Sequence, residues 1–166
     1  MLIGFMGTGK TTVGAALSER LGWRFVDTDE EIVSRENMSI PELFAARGEP
    51  YFRDVEAEVI AGVLERKKQV VSTGGGAVLR PGNRSAMLAG GFVVALTAPY
   101  ETLIERLRGD ANRPLLAGDE EERVRRLLEE RKDAYSFAHL AIDTSSCSVR
   151  EAVQTIIDRF ASGDRS

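Results

Sequence analysis

The chain has 166 residues, of which 43% are hydrophobic and 29% are charged, and its formal net charge at pH 7 is −4. This composition is typical of a soluble globular protein, and the length predicts one domain over residues 1–166. The acidic balance argues against a nucleic-acid partner, because such binders usually carry a basic excess. No apolar run is long enough to span a bilayer, and nothing at the N-terminus resembles a signal peptide. A single cysteine, Cys147, excludes an intramolecular disulfide and suits a reducing cytoplasm.

The first motif begins at Gly4 and matches the pattern Gly-x-x-x-x-Gly-Lys-Thr without a mismatch. The pattern is typical of a phosphate-binding loop, in which successive backbone N–H groups form a nest for anionic oxygens. Lys10 can then reach the β- and γ-phosphates of a nucleotide, and the Thr11 hydroxyl can ligate Mg²⁺. An apolar strand at Met1–Ile3 precedes the loop, and a helix that ends at Gly22 follows it. A glycine-rich turn that binds nothing is the alternative interpretation.

The second predicted strand, Trp23–Val26, leads directly into two acidic residues, Asp27 and Asp29. Carboxylates at this end of a strand lie at the edge where ligands bind in an open α/β sheet. If the extended backbone continues, side-chain alternation turns both carboxylates to the same side. Asp27 would then face Mg²⁺ and Asp29 a substrate hydroxyl. The alternative is that one of them only caps the next helix.

Two further helical segments follow, separated by Gly48. The first is predicted to begin after Ser39, and the second to run from about residue 49 to 67. On the second segment, Arg53 falls at the edge of the buried face and Glu56 lies one turn further on. Periodicity does not decide whether these charges extend toward solvent or line a site.

The third predicted strand, Gln69–Ser72, ends in a run of three glycines at positions 74–76. Such a run leaves backbone N–H groups exposed for a ligand, and a plain flexible turn is the alternative. Ser72 stands where many kinases with a phosphate-binding loop carry a Mg²⁺-directed aspartate. The predicted metal ligands are therefore Thr11 and Asp27.

Two arginines in the C-terminal half are candidate site residues. Residues 109–118 have no periodicity and contain Arg113, which predicts a mobile lid over the phosphates, with an ordinary surface loop as the alternative. Residues 120–135 are strongly helical, and Arg131 falls on their apolar face. A charge at a position where the pattern demands an apolar residue points to a functional site.

Strands alternate with helices along the chain, and Phe92–Leu96 and Leu140–Ile142 provide the last two strands. Parallel strands require such crossover helices, which are right-handed. The sequence therefore predicts a three-layer α/β domain, with a five-stranded parallel sheet and helices on both faces.

Taken together, these motifs resemble the shikimate kinases from Leu2 to about Arg159. The segments that carry the resemblance are Gly4–Thr12, Asp27–Asp29, Ser39–Phe44, Gly48–Glu56, Gly74–Gly76, Arg113–Leu116 and Arg131 with Tyr135. The resemblance implies ATP- and Mg²⁺-dependent phosphorylation of the shikimate 3-hydroxyl, a step of the chorismate pathway to aromatic amino acids. It also implies a fold like that of nucleoside monophosphate kinases, with strand order 2-3-1-4-5. We expect a monomeric, cytoplasmic enzyme.

The resemblance also assigns roles by matching position. The catalytic residues would be Lys10, Asp29 and Arg113. The nucleotide contacts would come from Gly7, Thr8, Gly9, Lys10, Thr11, Thr12, Arg106 and Arg113. The shikimate contacts, centred on residues 29–60, would come from Asp29, Arg53, Gly74, Gly75, Gly76 and Arg131. Thr11 would ligate Mg²⁺ with Asp27 assisting through water. The pocket would be shaped by Phe44, Phe52, Glu56, Pro114 and Leu115.

One segment departs from the family pattern. Ser145–Val149 follows the fifth strand, where the family often has a polar or basic segment with a proline. Arg106 can stack on the adenine from one side, and the residue on the other side stays open. Two other functions also stay open: a kinase for gluconate or a nucleoside monophosphate, and a nucleotide-binding module without catalysis. A nucleotide acceptor would need further basic residues to hold its phosphate.

Overall fold

The protein contains one five-stranded sheet in the order β2-β3-β1-β4-β5, as seen in a computed structural model that describes residues 1–108 and 119–163. The strands are β1 Leu2–Gly4, β2 Arg24–Asp27, β3 Gln69–Ser72, β4 Val94–Thr97 and β5 Leu140–Asp143. All four strand pairings are parallel, with Leu2 opposite Ser72 on one side and Val94 on the other. The predicted sheet and its strand order are confirmed.

Helices connect every pair of consecutive strands. They are α1 Lys10–Leu21, α2 Thr28–Glu36, α3 Ile40–Leu64, α4 Pro81–Gly90, α5 Tyr100–Arg108, α6 Asp119–Glu130 and α7 Val149–Ala161, with a short 3₁₀ helix at Ala77–Leu79. No helix among the described residues has the length and apolar character needed to cross a membrane.

The two faces of the sheet carry separate cores, because neighbouring strand residues point in opposite directions. Leu2 and Val94 pack with α1 and α7 on one face. Ile3 and Ala95 pack with α3, α4, α5 and α6 on the other. The chain is therefore three layers thick, and the carboxyl ends of all strands lie at one edge.

Three helix boundaries differ from the sequence prediction. α2 begins at Thr28, because the Asp27 side chain caps it, so β2 does not continue through Asp29. α3 has a non-helical backbone at Gly48, where φ is 80° and ψ is 169°, so the predicted break is present, but the helix ends at Leu64 and not near residue 67. α6 ends at Glu130, and turns follow it to Phe137. The predicted lid at residues 109–118, with Arg113, Pro114 and Leu115, lies outside the described residues.

Candidate active site

A cleft of about 800 Å³ lies at the carboxyl edge of the sheet. All predicted site residues that the structure describes line it. They are Gly7, Thr8, Gly9, Lys10, Thr11, Thr12, Asp27, Asp29, Arg53, Gly74, Gly75, Gly76, Arg106 and Arg131. The volume is that of an ordinary small-molecule site. Residues that are far apart in sequence therefore meet in one cavity, whereas Arg113 lies outside the described part of the chain.

The phosphate-binding loop joins β1 to the N-terminus of α1. Gly7 and Gly9 have φ values of 79° and 90°, a left-handed backbone that glycine adopts without strain. The Lys10 ammonium donates to the carbonyl oxygens of Gly4 and Phe5, each at 2.9 Å. Thr8 Oγ1 donates to the Phe5 carbonyl at 2.8 Å, which fixes the loop from within. The loop thus presents the first amides of α1 and its positive dipole end to the cleft.

Asp27 and Asp29 both line the cleft, but not by the route expected from a strand. The Asp29 amide donates to Asp27 Oδ1 at 2.9 Å, so Asp27 is the N-cap of α2. Asp29 lies in the first turn of that helix, and its carboxylate stands against Gly74. Both carboxylates line the cleft as predicted. The expected cause, side-chain alternation along a continued strand, is wrong, because Asp29 is part of a helix.

Arg53 and Glu56 form an ion pair inside the cleft, where α3 passes the sheet edge. Arg53 Nη1 donates to Glu56 Oε2 at 2.8 Å, and the Glu56 side chain is only 1% exposed. The Arg53 guanidinium lies 5.2 Å from the centre of the Phe52 ring. Burial raises the pKa of Glu56, and Asp29 raises it further, whereas Arg53 and Arg131 oppose the shift. Periodicity did not decide whether Arg53 and Glu56 extend toward solvent or line a site. In the structure both side chains line the cleft.

Arg131 lines the cleft from the turn after α6. Its guanidinium carbon is 5.9 Å from the centre of the Phe5 ring. Tyr135, buried nearby, donates from its hydroxyl to the Gly75 carbonyl at 2.8 Å, and burial raises the pKa of that phenol. The Arg131 amide still donates to the Leu127 carbonyl at 3.1 Å, which continues the helical bonding by one residue. Arg131 was expected on the apolar face of the helix, but it is the first residue after α6 ends.

Arg106 on α5 ties the phosphate-binding loop to the end of β5. Nη1 donates to the Gly7 carbonyl at 3.2 Å and to Thr144 Oγ1 at 2.9 Å, and Nη2 donates to the Thr144 carbonyl at 2.7 Å. Thr144 Oγ1 also lies 2.9 Å from the Thr8 carbonyl, which accepts its hydrogen bond. Sequence reasoning missed Thr144 as a site residue. Its place directly after a parallel strand is the signal that could have found it.

The nucleotide end of the cleft is completed by the segment that precedes and begins α7. Thr144, Cys147, Ser148, Val149 and Ala152 line this part of the cavity. Ser148 caps α7 by accepting from the Glu151 amide. Small or aliphatic side chains rather than a proline therefore line the cleft after β5.

The oxygen donors near the phosphate-binding loop suit Mg²⁺. Thr11 and Asp27 both line the cleft, and Asp27 offers a second carboxylate oxygen beyond the one that caps α2. Among the described residues there is no group of three or more Asp, Glu, His or Cys side chains arranged so that they could hold a metal ion by themselves. Mg²⁺ is typically held by one or two carboxylates together with substrate phosphates and water. This donor set therefore fits an ion that arrives with a nucleotide.

Comparison with known proteins assigns the family. The family model for shikimate kinase matches residues 6–161. The shikimate kinase of Geobacter metallireducens is 47% identical over 157 residues, which cover 94% of this chain and 88% of the relative. The Acinetobacter baumannii shikimate kinase, solved in complex with shikimate, has a TM-score of 0.88 and 40% identity, with 98% and 92% of the two chains covered. A gluconokinase from Sinorhizobium meliloti, with a TM-score of 0.64 and 19% identity over 98% and 91% of the chains, shares the fold. The chain therefore belongs to the shikimate kinase family.

Proposed function

We propose that this protein transfers the γ-phosphoryl group of ATP to the 3-hydroxyl of shikimate, with Mg²⁺ as the metal. The hydroxyl oxygen forms a bond to the γ-phosphorus, and the bond from that phosphorus to the β–γ bridging oxygen breaks. ADP and shikimate 3-phosphate result, and the hydroxyl proton passes to Asp29 or to water. The membership of the shikimate kinase family supports this reaction.

The observation that carries the proposal is the pair of guanidinium groups facing one cleft that also contains a phosphate-binding loop. Arg53 and Arg131 come from different elements and line the same cavity, together with Asp29. Two arginines match the geometry of a carboxylate, and a nearby Asp can accept a bond from a hydroxyl. A hydroxylated carboxylic acid therefore fits this end of the cleft, and the Gly75 backbone can contribute a further hydrogen bond.

At the nucleotide end, the amides of residues 7–12 and the Lys10 ammonium are proposed to hold the phosphates. Lys10 already donates to loop carbonyls and needs only to turn toward the γ-phosphate. Arg106 is proposed to flank the adenine. Arg113 is proposed to meet the transferring phosphoryl group, because an arginine stabilises the charge on its equatorial oxygens.

Thr11 and Asp27 are the residues proposed to hold Mg²⁺, Asp27 through water. When bound, the ion neutralises charge on the β- and γ-phosphate oxygens during transfer. The residues of the chain supply positioning: the loop fixes the nucleotide and the arginine pair fixes the acceptor. Phosphoryl transfer depends mainly on such positioning and on electrostatic stabilisation.

The direct test is a coupled assay of ADP release, with ATP and Mg²⁺ and one acceptor at a time. Shikimate should support turnover, whereas gluconate and CMP should not. Phosphorylation of CMP would require further basic residues to bind the CMP phosphate. Phosphorylation of gluconate would mean that the chain has the activity of a gluconate kinase of this fold. Turnover with gluconate or CMP alone, or ATP binding without any transfer, would overturn the proposal.

The role of Asp29 is separable by one substitution. Asp29→Asn keeps the shape and one acceptor oxygen but cannot take a proton. If Asp29 is the general base, kcat should fall by about 10²-fold or more while shikimate still binds in a calorimetric titration. A kcat near that of the wild type, with weaker binding only, would make Asp29 a positioning group.

We also propose that the enzyme works as a monomeric kinase domain in the cytoplasm. The single cysteine fits a reducing compartment. Sedimentation in the presence of both substrates tests the monomer directly.

A further inference from the structure

The backbone dihedral angles do not require glycine at positions 74–76. None of these glycines has a φ between +20° and +160°, the range that favours glycine, and Gly76 lies at φ −92° and ψ −8°. These angles are those of position i+2 in a type I turn, which accepts most residue types. The backbone conformation therefore does not explain why side chains are missing here.

The space around the run does explain it. A Cβ atom on Gly74 would stand 2.7 Å from Asp29 Oδ1. One on Gly76 would stand 2.6 and 2.7 Å from the two terminal nitrogens of Arg53. On Gly75 the nearest atoms would be the Gly4 carbonyl oxygen at 3.3 Å and Arg131 Nη1 at 3.7 Å. The first and third glycines thus leave room for one charged group each.

The obstructing atoms are the ends of side chains, which can move aside. This differs from Gly4, where φ is +146° and a Cβ would stand 2.3 Å from the backbone carbonyl of Leu96 in β4. A side chain at Gly4 would therefore disturb the sheet itself. At Gly74 or Gly76 a methyl group would leave the sheet in place and push a charged group out of its position in the cleft.

We propose that Gly74 and Gly76 are positioning residues, each of which sets the place of one substrate-binding side chain by leaving room for it. Gly74 acts through the Asp29 carboxylate, and Gly76 acts through the Arg53 guanidinium. The inference rests on the proposed function, in which these two groups contact shikimate. A displacement of about 1 Å at a reacting centre can cost about a hundredfold in rate.

The two positions should therefore give different kinetic signatures. Gly76→Ala should raise the shikimate KM by about tenfold or more and leave the ATP KM unchanged, because Arg53 is proposed to bind the substrate carboxylate. Gly74→Ala should lower kcat by about tenfold or more and also weaken shikimate binding measurably, because Asp29 is proposed both to stand at the reacting hydroxyl and to contact it. Both estimates assume that the added methyl group displaces the charged side chain by less than about 1 Å.

A double-mutant cycle tests the route of each effect. Shikimate dissociation constants are measured by calorimetry, which needs no turnover, for Gly74→Ala, Gly76→Ala, Asp29→Ala, Arg53→Ala and the double variants. Gly76→Ala should have less than a twofold effect once Arg53 is alanine, and Gly74→Ala should have none once Asp29 is alanine. The crossed combination of Gly76→Ala with Asp29→Ala should be multiplicative.

Gly90→Ala is the matched control. A Cβ there would stand 2.7 Å from Leu64 Cδ2, a comparable contact with the end of a side chain, in a place that does not line the cleft. It should lower the melting temperature and leave both KM values unchanged. Gly82→Ala, with nothing within 4 Å of the added atom, should change neither.

Each result decides between the hypotheses. If Arg53→Ala and Asp29→Ala leave shikimate binding unchanged, the proposed function fails. If they weaken binding while Gly74→Ala and Gly76→Ala do not, the positioning inference fails and the function stands. If Gly76→Ala keeps its full effect without Arg53, the glycine acts through its backbone and the inference is again wrong. Should Gly76→Ala unfold the protein, recovery of folding by Arg53→Ala supports the contact, and failure to recover overturns it.

Discussion

Arg131 is the residue whose substitution most directly probes the substrate end of the cleft. Its guanidinium packs near Phe5 and faces the Gly75 backbone. Arg131→Ala removes the proposed charge-assisted hydrogen bonds to the substrate carboxylate, whose loss should cost about 2–3 kcal/mol of binding. The shikimate KM should therefore rise by about 30–150-fold, with the ATP KM nearly unchanged, in steady-state kinetics.

Arg126→Ala provides the control for Arg131. Arg126 lies on α6, is 67% exposed and pairs with Glu130 at 3.7 Å. Exposed pairs contribute little, so this variant should keep both KM values and nearly the full stability. An unaltered shikimate KM in Arg131→Ala, or an equal rise in both variants, would contradict the assignment of Arg131 to the carboxylate.

Glu56 should make the stability of the protein depend on pH in a specific direction. Its pKa in the folded protein is raised, first by burial. The contribution of this group to stability is therefore fully present below about pH 4.5, the ordinary value, and is lost as the pH rises through the folded pKa. The free energy of unfolding of the wild type, measured in urea, should thus fall relative to Glu56→Gln as the pH rises above 4.5.

The comparison with Glu56→Gln cancels the other titrating groups, which both proteins share. A difference between wild type and Glu56→Gln that stays constant with pH, or grows in favour of the wild type, would show that Arg53 dominates over burial.

At the scale of elements, Asp27 at the start of α2 combines an observed role as helix cap with its proposed role in holding Mg²⁺. Asp27→Ala removes the N-cap, at a typical cost of about 1 kcal/mol, and the carboxylate as well. Asp27→Asn keeps an oxygen that can accept from the Asp29 amide and loses only the charge. We therefore expect both variants to need more Mg²⁺ for half-maximal activity, and only Asp27→Ala to melt at a lower temperature, by about 2–4 °C.

Ser39→Ala separates capping from catalysis. Ser39 caps α3 through a capping box with Glu42, whose side chain accepts from the Ser39 amide at 2.8 Å. Its loss should lower the melting temperature by a similar amount and leave the Mg²⁺ dependence unchanged. If Asp27→Asn has the Mg²⁺ dependence of the wild type, Asp27 is a helix cap only.

The elements that the sequence predicted well have strong local signals. The phosphate-binding loop, the glycine at the end of α1 and the serine cap of α3 all depend on residues within one turn of each other. The end of α6 and the start of α2 were predicted less well. Periodicity carried α6 past Glu130, and the sequence left open whether Asp27 or Asp29 caps α2, because a carboxylate in this position satisfies both the strand and the capping pattern.

At the scale of the whole molecule, the location of the site could be predicted and its internal contacts could not. Parallel strands bring their carboxyl ends to one edge, so Asp27, the glycine run and the phosphate-binding loop had to meet. The bond from Arg106 to Thr144, 38 residues away, depends on how α5 packs on the sheet. The close approach of the Arg53 guanidinium to Gly76 could not be predicted either, because it depends on how α3 packs against the end of β3.

Ligand binding should stabilise the whole fold, since both substrates bind residues from several elements. At a shikimate concentration of 100 times its dissociation constant, binding adds about 2.7 kcal/mol. For a chain of this length that corresponds to a rise of about 5–11 °C in melting temperature, measured by differential scanning fluorimetry. With Arg131→Ala at the same shikimate concentration, the gain should shrink to below about 1 kcal/mol, while the shift with ATP persists. Gluconate at that concentration should give no shift. An equal shift with gluconate would mean that the arginine pair recognises any hydroxylated carboxylate, and that discrimination between acceptors depends on the transfer step alone.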